Sequence, residues 1–212
     1  MVKITDIYQK YQLLPNLQQH QLRVAAVAKQ ICDNLDSPAD TEAVIKACLL
    51  HDMGNIIKFD LSQFSEFLEP EGPGYWQKVQ AQFKTRYGDD EHHATIEIAK
   101  ELGVKSKIVE LIDGIGFSNS LVTVSQKKLE PKICAYADMR VAPNGVLSLD
   151  ERLADGRRRY ANRPKYIDDF DKYVAAFEQI EKQVFENLKI KASDITDESV
   201  APIIKELKTW QI

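Results

Sequence analysis

Hydrophobic residues recur mainly every three or four positions along this chain, which is the spacing of one face of an α-helix. One such stripe runs from Leu17 to Leu35, and a second runs from Val44 to His51. No segment shows a convincing period-two alternation bounded by turn residues, which is the pattern of a half-buried strand. The sequence therefore predicts an all-α fold.

Polar residues and glycine mark the ends of the predicted helices in the first half of the chain. Asp40 or Thr41 can cap the helix that carries the second stripe, and Gly54 offers its stop. A third helix is predicted from about residue 90 to residue 102 by the same apolar spacing. These boundaries predict three amphipathic helices within the first half.

The rest of the chain is less regular before it returns to long helices. Proline and glycine over residues 69–74 predict a loop, and we expect a short helix in the aromatic and basic run that follows. Pro131 suits the first turn of a later helix, in which Asp138 takes a core-facing position. A near-heptad stripe from Tyr166 to Val184 predicts a long amphipathic helix, and residues 200–210 suggest a closing helix.

Length and charge limit the organisation and the partners of the chain. A length of 212 residues suits one core over residues 1–150 with a helical extension over 151–212 that packs on the core or makes an oligomer contact. A formal net charge of −4 provides no overall basic field for nucleic acid. The chain has no run of about 20 apolar residues and no apolar leader, so we expect a cytoplasmic protein without membrane contact.

Two of the four histidines fall on inward helix faces beside or in line with aspartates. His20 and His51 belong to the two apolar stripes, Asp52 follows His51 directly, and Asp138 lies on a later helix. Any one such histidine is more often a core residue bonded to the backbone, but imidazoles and carboxylates together are good ligands for divalent metals. Neighbours on a helix point about 100° apart, so His51 and Asp52 can share an ion only near a helix end, as Gly54 suggests.

The ordered pattern of His20, the His51-Asp52 doublet and Asp138 resembles the HD superfamily of metal-dependent phosphohydrolases. The segments HQLRVAAVAKQI, ACLLHDMGN and ICAYADMRV are similar to the family's ligand helices, and the resemblance spans roughly residues 10 to 145. It implies a core of five to seven helices and one divalent ion, Mn, Fe, Co, Ni or Zn, held by these four residues. It also implies attack of metal-activated water on a phosphate ester.

The two adjacent histidines at the start of the third helix are further candidates. The resemblance implies that an additional histidine binds phosphate or a second metal. His92 shares a helix face with Ile96 and Ala99, whereas His93 should face solvent. His92 is therefore the stronger candidate for catalysis and substrate binding, and His93 is the weaker candidate for substrate binding.

The groups that transfer protons and bind phosphate are less clearly indicated. Three residues after Asp52, where many relatives carry lysine or glutamate, this chain has Asn55, which can orient a phosphate but does not transfer protons at neutral pH. Lys58 is the nearest cationic alternative, and Asp52 itself is a further candidate. Arg140 is expected to contact substrate phosphate at the site rim. If the last metal ligand is not Asp138, Asp113 is the next candidate.

The leading functional hypothesis is a metal-dependent phosphohydrolase that cleaves a phosphate ester or anhydride of a nucleotide or a related phosphorylated metabolite. The expected partner is such a small phosphorylated molecule, and a homodimer stays open. One alternative is an inactive HD-fold sensor that binds metal and nucleotide, which Asn55 favours. Another is a helical interaction protein, which the stripe from Tyr166 to Val184 favours.

Overall fold

The chain folds into α-helices with one very short hairpin, which confirms the all-α prediction. The computed structural model describes residues 2–37, 39–62, 65–160, 164–186 and 188–212. In chain order the helices are α1 Ile4–Lys10, α2 Pro15–Cys32, α3 Thr41–Leu50, α4 Pro73–Tyr87, α5 Glu91–Glu101, α6 Ser106–Gly114, α7 Ser120–Thr123, α8 Leu129–Met139, α9 Leu149–Tyr160, α10 Pro164–Phe185 and α11 Asp197–Leu207. Single 3₁₀ turns cover Asn55–Lys58, Ser65–Leu68, Phe117–Asn119 and Ala192–Asp194.

Local residues set several helix ends where the sequence predicted them. Pro15 lies in the first turn of α2, where the missing backbone N–H removes no helical hydrogen bond. The side chain of Asp40 accepts a hydrogen bond from the backbone N–H of Ala43 at 3.1 Å and caps α3. Pro131 lies in the first turn of α8. The predicted starts of α3 and α8 are therefore confirmed.

Helix α4 is longer than the short helix that the sequence predicted. Pro73 begins this 15-residue helix, because proline is compatible with a first helical turn even at the end of a proline-rich loop. Trp76, Val79, Phe83 and Tyr87 are buried at spacings of three and four residues. One apolar face therefore anchors the whole helix. The aromatic and basic residues of the segment made this face hard to recognise in the sequence.

Other features were not predicted from the sequence, among them α1, α9 and the hairpin of β1 Val141–Ala142 and β2 Gly145–Val146. The hairpin is antiparallel, with Val141 opposite Val146. Strands of two residues are too short to show any alternation. Helix α1 has only seven residues, so its periodic signal is equally short.

The core is built around α2, which packs against α3, α8 and α11. Residues 24–28 at the middle of α2 are fully buried, so this helix is surrounded on several sides. Their small and β-branched side chains let the neighbouring helices approach closely. Since α3 and α8 also pack against each other, the three helices that carry the predicted metal ligands meet in one bundle.

The C-terminal helices pack on this bundle within the same chain. Helix α10 contacts α7 and α8. Its Phe177, Ile180 and Val184 are buried, and Phe177 stacks on the ring of Phe117. The side chain of Tyr166, the first residue of the predicted stripe, lies outside the described part of the chain. The division at residue 150 and an oligomer contact stay predictions. Within the described residues, every helix is too short or too polar to cross a membrane.

Candidate metal centre

The four predicted ligands come from two helices of the bundle and from the turn that follows a third. His20 lies on α2 and Asp138 lies on α8. His51 and Asp52 follow the last residue of α3, Leu50, in a turn that leads into the 3₁₀ helix beginning at Asn55. The doublet therefore lies at a helix end, where two consecutive side chains can turn toward one point.

The ligand atoms of these residues converge. His20, His51 and Asp52 each offer one donor atom, and these atoms lie within 4.8 Å of one another. The Nε2 atom of each imidazole lies 3.8 Å from Oδ2 of Asp52. Oδ1 of Asp138 lies 3.1 Å from Nε2 of His20 and 3.3 Å from Nε2 of His51.

These separations fit a single metal ion. Two ligands bound at about 2.1 Å and at angles of 90 to 110° are about 3.0 to 3.4 Å apart. The distances between the imidazole nitrogens and Asp138 fall within that range, and those to Asp52 exceed it by a few tenths of an ångström. Each imidazole nitrogen therefore lies at, or within a few tenths of an ångström of, the distance between two ligands of one ion from both carboxylates.

His51 presents an unpaired nitrogen to this space. Its Nδ1 atom lies 2.8 Å from the carbonyl oxygen of Cys48, which can only accept, so Nδ1 carries the proton of that bond. Its Nε2 atom is buried and has no hydrogen-bond partner within the described part of the chain. A backbone-anchored Nδ1–H with an available Nε2 is the usual arrangement of a metal-binding histidine. The residues present thus fit a bound divalent ion.

The electrostatics of the cluster favour a positive charge at its centre. Burial lowers the pKa of His51, but the carboxylates of Asp52 and Asp138 outweigh burial and raise that pKa to about 9. Burial raises the pKa of Asp138, but its hydrogen bond with His20 and the nearby imidazole of His51 hold the pKa well below its usual range. Either a proton on Nε2 of His51 or a metal cation can balance the negative charge of these two carboxylates.

The cluster is open to solvent on its carboxylate side. The side chains of Asp52 and Asp138 are about one-quarter exposed, at 25% and 26%, whereas the side chain of His51 is only 3% exposed. A molecule that reaches the cluster from solvent can therefore contact the carboxylates and His20, whereas His51 lies beneath them.

Two of the predicted catalytic residues lie on the 3₁₀ turn directly after the doublet. Nδ2 of Asn55 donates a hydrogen bond to Oδ2 of Asp52 at 2.7 Å, so the structure brings Asn55 into direct contact with a candidate ligand. Nζ of the exposed Lys58 lies 2.9 Å from Oε1 of Glu91 at the start of α5. Lys58 is thus held to the neighbouring helix instead of to a candidate ligand.

Helix α5 is docked closely against the doublet turn. A Cβ atom at Gly54 would lie 2.3 Å from the carbonyl oxygen of Glu91 and 2.7 Å from Cβ of Ala94, so only glycine permits this approach. The backbone N–H of Gly54 also donates to Oγ1 of Thr95 at 2.9 Å. These contacts fix the start of α5, and with it His92, beside the turn that carries Asp52.

The adjacent histidines differ as the helix phase predicted. His93 is exposed, and its backbone N–H is capped by Asp90. His92 is partly exposed, and its Nε2 lies 2.9 Å from Oδ1 of Asp113 on α6. The sequence reasoning did not identify this pairing, because no local spacing links positions on two separate helices. The roles of both histidines stay predictions.

The expected rim contact of Arg140 is wrong. This residue is only 3% exposed, and its guanidinium donates to the carbonyl oxygens of Leu147, Ala192 and Ile195 and to the hydroxyl of Tyr136. It follows the end of α8, and a two-residue offset from Asp138 turns it away from the ligand cluster toward the C-terminal segment. Arg140 therefore ties parts of the fold together.

Sequence reasoning also missed Gln21, which follows His20 on α2. Its side chain is completely buried, and its Oε1 accepts the backbone N–H of Asp52 at 3.3 Å. The available signal was a polar residue at the start of an otherwise apolar helical run. That signal does not reveal the partner, which lies 31 residues away.

Comparison with known protein families shows which family the chain matches. The model of the HD domain family matches residues 17–138, a segment that contains His20, His51, Asp52 and Asp138. No curated protein and no solved structure matches the chain. Since the matched segment covers more than half of the 212 residues, the chain belongs to the HD domain family.

Proposed function

We propose that this chain is a metal-dependent phosphohydrolase in which His20, His51, Asp52 and Asp138 bind one divalent metal ion. The observation that carries the proposal is the buried, unpaired Nε2 of His51, which faces two carboxylates and lies beside a second imidazole. Nitrogen and oxygen donors without sulfur suit Mn, Fe, Co, Ni or Zn. Membership of the HD domain family supports the same chemistry.

The roles of the ion and of the surrounding residues follow from the nitrogen and oxygen atoms that the four ligands offer. A divalent ion bound there lowers the pKa of water toward neutrality and offsets negative charge on a phosphoryl oxygen. The carbonyl of Cys48 orients the imidazole of His51, and the amide of Asn55 orients the carboxylate of Asp52. These contacts hold the donors in place before a substrate arrives, which reduces the reorganisation that binding requires.

His92 is the proposed group for proton transfer or phosphate contact. Its ring is partly exposed, its helix is docked on the doublet turn, and the carboxylate of Asp113 lies against its Nε2. A carboxylate that pairs with an imidazole fixes the orientation of the ring. Asn55 does not transfer protons at neutral pH, and Lys58 is paired with Glu91, so both are weaker candidates for the acid.

The proposed substrate is a phosphate ester or anhydride of a nucleotide or a related phosphorylated metabolite. Two carboxylate ligands offset much of the charge of a divalent ion, so the phosphate needs further cationic or donor groups at the rim. With Arg140 removed from that role, His92, His93 and Lys58 are the remaining candidates on the elements next to the doublet.

The proposal is tested by measuring metal content and phosphate release on protein purified without chelators, with nucleotide mono-, di- and triphosphates as substrates and Mn²⁺ supplied. We expect about one metal ion per chain, and its loss together with turnover in His51→Ala and Asp52→Ala. Asp33→Asn is the matched control, because Asp33 follows α2 at its far end, about 20 Å from His20 along the helix axis. Metal retained by both alanine variants would refute the site.

The contact of Asn55 with Asp52 favours a second candidate, an HD-fold sensor that binds metal and nucleotide without turnover. An amide at this place cannot donate or accept a proton in catalysis. The same experiment separates the two functions. Bound metal with phosphate release supports the enzyme, whereas bound metal and bound nucleotide without release over the whole panel support the sensor.

A further inference from the structure

The side chain of Gln21 is a buried amide in contact with the doublet turn. Its Oε1 accepts the backbone N–H of Asp52 at 3.3 Å, and its Nε2 lies 4.0 Å from the sulfur of Met53. The residue is 0% exposed. Burying an amide with so few good partners is costly compared with burying an apolar side chain of the same size. The contact with Asp52 is the strongest bond that this amide makes.

The N–H of Asp52 needs an acceptor from outside its own helix. Helix α3 ends at Leu50, so this N–H lies beyond the last turn of the helix. The carbonyl of Cys48, four residues earlier, accepts from the ring of His51. Gln21 on α2 therefore supplies the N–H of Asp52 with an acceptor from another helix.

The two ends of Asp52 are thus held separately. Gln21 fixes its backbone, and Asn55 fixes its carboxylate through the 2.7 Å bond to Oδ2. Because Gln21 directly follows His20 on α2, the same helix turn that carries one candidate ligand also holds the backbone of another. A shift of the doublet relative to α2 would break this bond and separate the ligand atoms of His20 and Asp52.

We propose that Gln21 is a positioning residue, which sets the distance between His20 and Asp52 through the backbone of the doublet turn and thereby tunes the metal affinity. This inference rests on the proposed metal centre and adds a residue that does not touch the ion. Loss of a group that orients a metal ligand typically weakens metal binding by about 10- to 100-fold.

The test compares Gln21→Met with Thr95→Val. Methionine keeps the length and apolar volume of glutamine but lacks the amide oxygen. Thr95→Val removes a comparable bond to the N–H of Gly54, two residues after Asp52, without touching a candidate ligand. Both variants leave one N–H of the same turn without its side-chain acceptor, so both should lower the melting temperature. Only Gln21→Met should weaken Mn²⁺ binding in calorimetric titration, by about tenfold or more.

The visible absorption of the Co²⁺-loaded protein provides a second readout, because its bands depend on ligand geometry. We expect Gln21→Met to shift these bands and Thr95→Val to leave them unchanged. Unchanged Mn²⁺ affinity and an unchanged Co²⁺ spectrum in Gln21→Met would overturn the proposal while leaving the metal centre intact. Equal loss of affinity in both variants would also overturn it. A wild-type chain that binds neither ion would instead refute the metal centre itself.

If Gln21→Met does not fold, hydrogen exchange of the metal-free wild-type protein decides the question. The amide of Asp52 should be protected as strongly as the amide of Gly54, because each donates to a buried side-chain oxygen. Exchange of the Asp52 amide at the rate of an open loop would overturn the proposal.

Discussion

Replacing Arg140 by methionine tests whether this arginine holds the fold together or contacts substrate. The guanidinium is 3% exposed and forms four hydrogen bonds, to three backbone carbonyls and to Tyr136. These bonds join the end of α8 to the segment after the hairpin and to Ala192 and Ile195 near the start of α11. Methionine fills most of the volume but donates none of them.

The expected loss of stability follows from the acceptors that are left behind. Each buried acceptor without a partner costs about 1 to 3 kcal/mol, and entry of water recovers part of this when the site is near the surface. The net loss should therefore be about 3 to 5 kcal/mol, smaller than the sum over four acceptors. For a chain of this size, 1 kcal/mol lowers the melting temperature by about 2 to 4 °C, which gives a decrease of about 6 to 20 °C.

Urea unfolding of Arg140→Met measures this loss directly, and metal analysis of the same protein checks the candidate site. Arg86→Met is the matched control, because Arg86 is exposed and pairs with Glu101 at the surface, where an ion pair contributes little to stability. We expect normal metal content in both variants. A stability within 1 kcal/mol of wild type, together with a Michaelis constant raised selectively for polyphosphates, would refute this account and restore the rim contact.

Four further predictions concern the site and its surroundings. Gly54→Ala should push α5 away from the doublet turn, lower stability by about 1 to 3 kcal/mol and reduce turnover; wild-type stability and rate would show that α5 is not docked there. Mn²⁺ at about 100 times its dissociation constant should stabilise the wild-type protein by about 2.7 kcal/mol but not His51→Ala, and equal stabilisation of both would place the ion elsewhere. His92→Ala should lower turnover far more than His93→Ala with metal still bound, and equal effects in single-turnover assays would contradict the proposed role of His92. Burial raises the pKa of Glu101, but hydrogen bonds from two tyrosines and an arginine lower it below its ordinary value. Its contribution to stability is therefore complete above about pH 4.3 and is lost as the pH falls through the lower folded pKa; acid unfolding curves of wild type and Glu101→Gln should converge at low pH, and parallel curves would argue against this bond network.

The sequence by itself determined the helical class and much of the candidate site. Apolar residues every three or four positions are a local signal, and they placed α2, α3 and α5 close to their observed bounds. The doublet His51-Asp52 followed by Gly54 predicted a helix end, and α3 does end at Leu50. Convergence of the predicted ligands could be inferred because histidines and aspartates on the inward faces of packed helices all project into the same bundle core.

Only the tertiary structure decided how the polar side chains are paired. Arg140 lies near Asp138 in sequence but bonds to residues about 50 positions later, and Gln21 bonds to a residue 31 positions later. Such partners depend on how helices pack against one another, and no periodicity records that packing. Hydrophobic spacing reports which face of a helix is buried, whereas the identity of the group on the opposite side of the interface is set by the assembled bundle.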